Sequence, residues 1–519
     1  DFSLISLKLM SLINTAYRFY NRKLLRELDY SIRDPFPFQE ETLKHLVSRG
    51  KNTVFGKEHG MENMGSIRKF QQQIPLRDYN ALEPYIQRML KGEENVLWDK
   101  PPSWFALSSG TSSARSKFIP MNMENLKLCH YKGMLTILSH YVRMFPKSRL
   151  FRGKSLVLGG NRHIDKNIET NCCYGDLSAF LTINTPPLAR LFTTPSRKIG
   201  LIPEFELKTD LVSRQVIKQN VVSFSGVPSW NLLLMRKVLE LSGKDNLSEL
   251  WPHMELYMHG GVSFDPYRVH FQKLFPSDNM HYLETYNASE GFFAFQTDLS
   301  DPGMHLLPNV GVFYEFIPLE KLEAAENGTF TQFLTLAEVE NDKPYAMVIT
   351  TNSGLWRYSI GDTVRFTGRN PHKLVITGRT KLFINTFGEE LMVENAEKAL
   401  ALTCKETGAS VFEYTVAPVF MDTENRGAHQ WLVEFEALPP NTADFVEKLD
   451  KNLMQVNSDY HAKRMDTGTM DPPQLVLMKK GSFYKWMAQN DKLGGQHKVP
   501  RLWNTRQYAE VLLKVNESI

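Results

Sequence analysis

The segment from Ser108 to Lys117 carries side chains that could bind a polyphosphate. It reads Ser-Ser-Gly-Thr-Ser-Ser-Ala-Arg-Ser-Lys and follows the apolar run Trp104–Leu107. Backbone N–H groups and hydroxyls donate hydrogen bonds to phosphate oxygens, a glycine lets the backbone approach closely, and cations balance the charge. It is not a Walker loop, because no second glycine precedes the lysine. A serine-rich loop can equally be a solvated connector, so other motifs must decide between these interpretations.

Two further motifs hold groups suited to a nucleotide. Tyr286 to Gly291 follows the strand-like segment Met280–Leu283, which places it at the carboxyl end of a strand, where open α/β sheets bind ligands. Its tyrosine can lie against a base, its serine can reach a phosphate oxygen and its glutamate can hold Mg²⁺. In the second motif, Trp356 to Asp362, an aspartate behind a glycine at a strand end can accept both ribose hydroxyls. A solvated loop and a β-turn aspartate are the alternatives.

The last third of the chain adds two cationic segments. Gly378-Arg379-Thr380-Lys381 follows a strand-like run, so its arginine can bond ribose or phosphate and its lysine can be the pivot between two domains. Near the end, Lys498 stands on a glycine-flanked loop. A lysine there is a suitable point charge for a transition state that gathers negative charge on phosphorus.

The composition excludes several classes of protein. The chain has 519 residues, 42% of them apolar, and a formal net charge of +4, so more than one domain is expected and nucleic-acid binding is not. Its four cysteines form no C-x-x-C pair, which indicates a reducing compartment, the cytoplasm, and no structural metal. No uncharged apolar stretch is long enough to span a bilayer. The oligomeric state is not indicated.

The N-terminal segment Leu4–Tyr20 has apolar residues at helical spacing, namely Ile5, Leu9, Leu12, Ile13, Ala16 and Tyr20. We expect an amphipathic helix that packs on the body of the protein. A peripheral membrane helix is the alternative.

Periodicity along the chain predicts an α/β protein of two domains. Helices dominate up to residue 100, and 122–144 is predicted as one long helix. From residue 150, strands alternating with helices indicate a largely parallel sheet covered on both faces, followed by strands at 310–317, 330–336 and 345–351. The boundary is expected at Lys381. The prediction is therefore an N-terminal domain of residues 1–380 with mixed sheets covered by helices, joined by a hinge to a mobile α+β domain of residues 381–519.

Taken in order, these motifs resemble those of the adenylate-forming enzymes, which include acyl-CoA synthetases, peptide-synthetase adenylation domains and luciferases. The S-S-G-T-S at Ser108, the Y-x-x-S-E at Tyr286 and the R-Y-x-x-G-D at Arg357 are most similar to those of the acyl acid–amido synthetases first known as auxin-responsive plant proteins, the Gretchen Hagen family, and especially of their bacterial members. The Q-x-K-x-P-R at Gln496 resembles that family's lysine segment. The resemblance spans essentially the whole chain.

The resemblance implies two half-reactions with ATP and Mg²⁺. A carboxylic acid attacks the α-phosphorus to give an acyl-adenylate and pyrophosphate, and an amine, expected to be an amino acid, then displaces AMP. It implies catalytic roles for Lys498 and for Glu290 as the magnesium ligand, and a hinge at Lys381. It implies nucleotide contacts from Ser108, Ser109, Gly110, Thr111, Ser112, Lys117, Gly260, Gly261, Tyr286, Ser289, Asp362 and Arg379. His130 and Met134, on the predicted long helix, are candidates for the acyl acid, with plain core packing as the alternative.

Two departures limit what carries over from the plant enzymes. The phosphate loop reads Ser113-Ala114-Arg115 where many plant members have Ala-Gly-Glu, and Arg115 has no assigned role; Asn385 replaces a lysine common in other adenylating enzymes. Two other functions stay open: an acyl-CoA or aryl-CoA ligase with a thiol acceptor, and a catalytically silent protein that has kept the fold.

Overall fold

The structure is a computed structural model that describes residues 13–108, 117–160, 162–164, 173–261, 264–380, 383–384, 389, 391–420, 427–466, 470–490, 498–503 and 505–519. The chain divides into two compact units. The first unit comprises Asp1–Val262 and Lys273–Val375, and the second comprises Ser263–Gln272 and Ile376–Ile519. The predicted boundary residue, Lys381, lies outside the described residues.

Helices cover the first part of the chain and recur between strands. Residues 13–20 are helical. The further α-helices up to residue 375 are α1 (Arg22–Arg33), α2 (Phe36–Gly50), α3 (Val54–Glu58), α4 (Ile67–Gln73), α5 (Tyr79–Leu90), α6 (Met123–Asn125), α7 (Lys132–Met144), α8 (Leu177–Asn184), α9 (Pro187–Arg190), α10 (Arg197–Gly200), α11 (Phe205–Val216), α12 (Pro228–Ser242), α13 (Leu247–Leu250), α14 (Asp265–Leu274) and α15 (Leu322–Glu326). Short 3₁₀ turns lie at Met61–Asn63 and Leu319–Lys321.

The strands of this part lie between these helices and then follow one another directly. They are β1 (Trp104–Ser108), β2 (Lys117–Met121), β3 (Lys154–Val157), β4 (Arg162–Ile164), β5 (Cys173–Gly175), β6 (Thr193–Thr194), β7 (Val221–Gly226), β8 (Leu256–His259), β9 (His281–Ala288), β10 (Gly291–Gln296), β11 (Met304–Leu306), β12 (Val312–Pro318), β13 (Pro344–Thr351), β14 (Tyr358–Arg369) and β15 (His372–Arg379).

The main sheet is mixed, as predicted. Among the described residues it has the strand order β12-β13-β14-β15-β11-β10-β9-β8-β7-β3-β6. The half from β9 to β6 is parallel, and β9 to β11 and β12 to β14 pair antiparallel. Buried runs such as Val221–Phe224 suit a parallel strand that is covered on both faces. A smaller sheet has the order β2-β1-β5-β4.

The second unit is a compact α+β arrangement, as predicted. Its elements from residue 383 are β16 (Phe383–Ile384), β17 (Leu391–Met392), α16 (Val393–Thr407), β18 (Ser410–Val419), β19 (Ala428–Ala437), α17 (Thr442–Val456), α18 (Ser458–His461), a π-helical turn at Ala462–Asp466, β20 (Gln474–Met478), α19 (Ser482–Gln489) and α20 (Gln507–Glu517). Trp431, Phe445 and Leu449 are among the side chains that form its core. Asn441 caps α17 by accepting hydrogen bonds from two backbone N–H groups.

Three expectations about local structure need correction. The predicted strand at 330–336 is an irregular segment that contributes a single bridge, Phe316 to Leu334. Its alternating apolar residues instead anchor a loop, because Phe333 and Leu336 are buried. The predicted single helix at 122–144 contains a π-helical turn, Leu126–Tyr131, between α6 and α7.

The third correction concerns the N-terminal helix: its described part, residues 13–20, turns the apolar positions of the predicted stripe outward, whereas Ile5, Leu9 and Leu12 lie outside the described residues. Ile13, Ala16 and Tyr20 are exposed, and Asn14 is buried. The Asn14 side chain donates hydrogen bonds of 3.0 and 2.9 Å to the carbonyl oxygens of Pro146 and Ser148. The described part of the helix therefore packs on the body through the Asn14 amide and through the Tyr17 ring, whose centroid lies 4.4 Å from that of Phe151. Within the described residues, no helix combines the length and the apolar content needed to cross a membrane.

Candidate active site

The hairpin formed by β9 and β10 carries the predicted magnesium motif. Ala288 pairs with Gly291, so Ser289 and Glu290 form the two-residue turn between the strands. Both turn residues are buried. The motif was predicted to follow the strand, but β9 runs on to Ala288 because β10 pairs with it. Only the turn therefore stands at the carboxyl end of β9, whereas Tyr286 lies within the strand.

A hydrogen bond between Tyr286 and Asp362 joins the motif Tyr286 to Gly291 to the motif Trp356 to Asp362. The tyrosine hydroxyl donates a 2.6 Å hydrogen bond to Oδ2 of the aspartate. The Tyr286 ring is buried and meets Phe293 edge-on, with ring centroids 4.9 Å apart. Residue 293 is the bulge of β10, since Asn287 pairs with Phe292 and Tyr286 pairs with Ala294. The fold thus brings together two residues that the sequence assigned separately to base and ribose.

Asp362 lies in the interior of β14, which corrects the prediction that it stands at a strand end. Across β13 and β14, Ala346 pairs with Thr363 and Val348 pairs with Ser359, so the segment 360–362 bulges out of register. Gly361 has φ +85°, a conformation that favours glycine. A bulge redirects the side chains next to it. The glycine before the aspartate therefore serves a bulge and not a terminal turn.

The double glycine, which the family resemblance assigned to the nucleotide, follows β8, precedes helix α14 and lies against β9. A Cβ atom built on Gly260 would lie 2.3 Å from the carbonyl oxygen of Thr285, which a side chain cannot tolerate. Gly261 has φ +85°. The Thr285 hydroxyl donates a 3.0 Å hydrogen bond to the His259 carbonyl, which holds the glycine loop against β9. The loop therefore adjoins the residue just before Tyr286 and leaves backbone, without side chains, at this edge.

The predicted phosphate loop closes a β-hairpin. Ser108 pairs with Lys117 across β1 and β2, so the ends of the loop are neighbours. The Lys117 ammonium lies 5.7 Å from the centre of the Tyr79 ring, and the Tyr79 hydroxyl accepts a 2.8 Å hydrogen bond from the Phe118 amide. Ser109, Gly110, Thr111, Ser112 and Arg115 lie outside the described residues.

The π-helical turn places His130 beside the magnesium motif. Its ring is buried, and burial lowers the pKa of His130 to about 4, with the neighbouring Asn287 side chain acting in the opposite direction. His130 is therefore neutral at pH 7. One turn later Met134 is half-buried. Gly133 brings this helical segment close to β10, since a Cβ there would lie 2.7 Å from the Phe292 ring.

Within the second unit, Arg501 anchors the segment that carries Lys498. The guanidinium pairs with the Glu413 carboxylate, donates a 3.0 Å hydrogen bond to the Tyr414 carbonyl and lies 4.6 Å from the Tyr414 ring centre. The Val416 amide donates a 2.8 Å hydrogen bond to the Arg501 carbonyl, which attaches the segment to β18. Lys498 is half-buried, three residues before this anchor. Arg379 ends β15, and the predicted hinge at Lys381 is not among the described residues.

Sequence reasoning quoted Arg357 in a motif but missed its role, which is structural. The side chain is buried, and its Nε atom lies 3.0 Å from Oε2 of the buried Glu315. Its Nη1 atom donates a 2.7 Å hydrogen bond to the Gln71 carbonyl, and the guanidinium lies 3.9 Å from the Phe333 ring centre. The ion pair holds the chain just before β14, the strand that carries Asp362. The sequence did hold a sign of this role, because an arginine inside the apolar run Leu355–Tyr358 indicates a buried, paired cation.

Comparison with known proteins identifies related families over most of the chain. The family profile described as the GH3 family N-terminal domain matches residues 24–167 and 162–280, that of the GH3 family central domain matches 304–379, and that of the GH3 family C-terminal domain matches 394–507. The three matches follow one another in order. They include all the described site residues except Tyr286, Ser289 and Glu290, which lie in the unmatched stretch between 281 and 303. The turn of the magnesium motif falls in that gap.

Curated relatives include plant enzymes of similar length. A jasmonoyl–L-amino acid synthetase from Oryza sativa subsp. japonica is 27% identical, over 92% of this chain and 94% of that protein. An indole-3-acetic acid-amido synthetase from Arabidopsis thaliana is 22% identical, over 94% and 93%.

Solved structures show the same fold. The GH3.15 acyl acid amido synthetase in complex with 2,4-DB has a TM-score of 0.78 at 17% identity, covering 96% of each chain. A 2-hydroxyisobutyryl-CoA ligase in the postadenylation state has a TM-score of 0.57 at 12% identity, covering 93% of this chain and 92% of that one.

Proposed function

The chain belongs to the GH3 family, and we propose that it joins a carboxylic acid to the amino group of an amino acid in two ATP-dependent steps. The observation that carries this proposal is the ordered match of all three GH3 domains between residues 24 and 507. The relatives with printed activities are amide-forming ligases. The Tyr286–Asp362 hydrogen bond supports the proposal independently, because it unites two nucleotide motifs.

In the first step, a carboxylate oxygen attacks the α-phosphorus of ATP, and the bond to pyrophosphate breaks. In-line displacement at phosphorus depends on positioning and on neutralising charge. We assign Ser289 to the α-phosphate, and Ser108, Lys117 and the loop between them to the departing β- and γ-phosphates. Lys498 adds positive charge in the transition state.

The nucleoside is assigned to the loop after β8, to β9 and to Asp362 of β14, which the Tyr286 hydroxyl joins to β9. Gly260 packs closely on the Thr285 carbonyl of β9, and the exposed Gly261 after it offers backbone against which adenine can lie. Tyr286 stacks on the base in the family pattern; here its ring is buried and its hydroxyl orients Asp362. We assign Asp362 to the ribose hydroxyls, with Arg379 as a second ribose contact.

The donors present fit Mg²⁺. Glu290 offers one carboxylate on a buried turn next to Ser289, and Mg²⁺ in nucleotide sites takes one or two carboxylates beside phosphate oxygens and water. When bound there, Mg²⁺ neutralises charge on the phosphates. Glu290 would hold it, and the turn geometry fixes the carboxylate relative to β9.

In the second step, the amine nitrogen attacks the acyl carbon, loses a proton and displaces AMP. We propose that the second unit turns about Lys381 between the steps, as the family resemblance implies. The acyl acid is assigned to the helical segment with His130 and Met134. The neutral state of His130 at pH 7 suits an uncharged part of the acid. A reducing compartment, the cytoplasm, remains the proposed location.

ATP–pyrophosphate exchange tests the first step. The chain is mixed with ATP, Mg²⁺, labelled pyrophosphate and pools of aryl, indolyl and aliphatic carboxylic acids, in the absence of any amine. The proposal predicts exchange that requires an acid. If none of the acid pools supports pyrophosphate exchange at saturating ATP, the proposal is contradicted and the catalytically silent alternative is favoured.

A further inference from the structure

The N-terminal helix turns an apolar stripe toward solvent. Ile13, Ala16 and Tyr20 follow one another at spacings of three and four residues, which places them on one face. All three are exposed, Tyr20 by 87%, and Phe19 beside them is exposed as well. Asn14 holds the opposite face to the carbonyls of Pro146 and Ser148. A helix that packs on the body through Asn14 and Tyr17, with Ile13, Ala16, Phe19 and Tyr20 outward, has the orientation of an interfacial helix.

A second exposed apolar segment lies close to this helix. Leu188, Leu191 and Phe192 are exposed, Leu188 by 78%. Phe151 links the two segments, because its ring centroid lies 4.4 Å from that of Tyr17 and 6.0 Å from that of Phe192. We call the combined surface the apolar face; it consists of Ile13, Ala16, Phe19, Tyr20, Leu188, Leu191 and Phe192.

The backbone of the second segment is fixed at the edge of the main sheet. The Ser155 amide donates a 2.7 Å hydrogen bond to the Phe192 carbonyl, and the Lys154 ammonium donates one of 2.7 Å to the Leu191 carbonyl. The apolar side chains are therefore presented by an ordered segment. Exposed apolar clusters of this kind mark interaction sites.

Cationic side chains are frequent near the apolar face, and the first acidic residue after its helix is Glu27, 3.9 Å from Lys23. Residues 13–26 contain four cationic side chains and no acidic one; the cations are Arg18, Arg22, Lys23 and Arg26. The Arg22 guanidinium lies 4.7 Å from the Phe19 ring centre. In the second segment Arg190 lies between Leu188 and Leu191, and Lys154 contacts Leu191. Lys147, Arg149 and Arg152 lie within four residues of Phe151 in the sequence, and the Glu255 carboxylate accepts a hydrogen bond from the Arg149 amide. Among the described residues of 145–200 the acidic side chain is Asp176, and it is buried. This clustering contrasts with the net charge of +4 for the whole chain.

We propose that the apolar face docks on an anionic lipid surface. Its aromatic and leucine side chains would enter the boundary between headgroups and acyl chains, and the nearby cations would pair with lipid phosphates. A second copy of the chain fits this face less well, because an isologous pairing would bring the two sets of cations together. The proposal concerns binding at the membrane surface and is independent of the proposed ligase activity.

Vesicle sedimentation with the full chain tests the proposal. The vesicles are phosphatidylcholine alone and phosphatidylcholine mixed with phosphatidylglycerol. The apolar variant is Phe19→Ser/Tyr20→Ser, and its matched control is Leu438→Ser, an exposed leucine of the second unit. The charge variant is Arg22→Glu/Lys23→Glu, and its matched control is the adjacent exposed pair Lys479→Glu/Lys480→Glu. Circular dichroism verifies that every variant is folded.

The proposal predicts partition into the mixed vesicles that falls as salt is raised. The apolar and charge variants are each expected to lower the partition coefficient more than about tenfold, with both controls unchanged. Absence of partition into the mixed vesicles at low salt overturns the proposal. The proposal is also overturned if a variant and its matched control lose the same amount of binding to the mixed vesicles. A third outcome also overturns it: the wild-type chain does not bind vesicles but dimerises with increasing concentration in sedimentation velocity, and Phe19→Ser/Tyr20→Ser abolishes the dimer. A second copy of the chain would then cover the apolar face.

Discussion

The hydroxyl of Tyr286 and the carboxylate of Asp362 are joined by a 2.6 Å hydrogen bond, although 76 positions separate the two residues in the chain. Each residue lies at a bulge: Tyr286 pairs with Ala294, next to the bulged Phe293 of β10, and Asp362 belongs to the bulge 360–362 of β14. The bulge in β14 takes Asp362 out of the regular alternation of that strand. The orientation of the proposed ribose-binding carboxylate therefore depends on the tyrosine assigned to the base.

Replacing Tyr286 by Phe should weaken ATP binding. The ring keeps its packing on Phe293, but the charge-assisted hydrogen bond to Asp362 is lost, and such bonds contribute about 1.5–3 kcal/mol. We expect the dissociation constant for ATP in calorimetry to rise about tenfold or more. Tyr85→Phe is the matched control, because Tyr85 donates a 2.5 Å hydrogen bond to the exposed Glu58. Equal affinities of Tyr286→Phe and wild type would refute the coupling.

Replacing Gly260 by Ala should destabilise the first unit. The new Cβ would lie 2.3 Å from the Thr285 carbonyl oxygen, which belongs to backbone and cannot move aside alone. Overpacking of this kind costs about 1–3 kcal/mol, measurable by denaturant unfolding. Gly65→Ala serves as the control, since nothing lies within 4 Å of a Cβ there. If Gly260→Ala unfolds like that control, the close approach of this loop to β9 is wrong.

Replacing Lys498 by Ala should slow acyl-adenylate formation while ATP still binds. Loss of one positive group at a phosphoryl transition state costs about 2.7–4 kcal/mol, a hundredfold to a thousandfold in rate. Acid-dependent pyrophosphate exchange measures the rate, and calorimetry measures the binding. Lys480→Ala, an exposed lysine of the same unit, should retain both properties. Wild-type exchange in Lys498→Ala would remove this residue from the first step.

His130 should make the folded protein sensitive to acid. Burial lowers the pKa of His130 from its usual 6.5 to about 4, so between these values the unfolded chain binds a proton that the folded chain does not. Stability therefore falls as pH drops from 6.5 to 4, by about 1.4 kcal/mol per pH unit from this residue, and levels off below 4. His130→Gln should reduce this slope of the unfolding free energy by that amount.

His461→Gln, at an exposed histidine of the second unit, is the matched control substitution. A His130→Gln protein whose stability falls with acid as steeply as wild type would show that His130 is not protected from protonation in the folded state.

The elements that position the site could be predicted because their periodicity is regular. The strand–helix alternation after residue 150 and the α+β character of the second unit follow from such patterns, and both are observed. The glycines at 260 and 261 were assigned from the family resemblance, and the structure places them after β8. The pairing of Tyr286 with Asp362 could not be predicted, because it depends on how far apart β9 and β14 lie in the sheet.

Departures from regular alternation account for the errors. Gly361 and Asp362 look like a terminal turn because a glycine before an aspartate is typical of turns, and only the pairing of β14 with β13 reveals the bulge. The segment 330–336 alternates like a strand, yet Phe333 and Leu336 anchor a loop. For the N-terminal helix, the spacing of Ile13, Ala16 and Tyr20 identified the apolar stripe. It did not show which face the hydrogen bonds of Asn14 would hold against the body.

Product analysis by mass spectrometry tests the proposed reaction most directly. The wild-type chain is supplied with ATP, Mg²⁺ and a panel of carboxylic acids, and either a mixture of amino acids or coenzyme A is added. We expect amino acids to accelerate AMP release and the product to have the mass of an acid–amino acid amide. AMP release accelerated by coenzyme A, with a thioester and no amide as product, would contradict the proposed reaction.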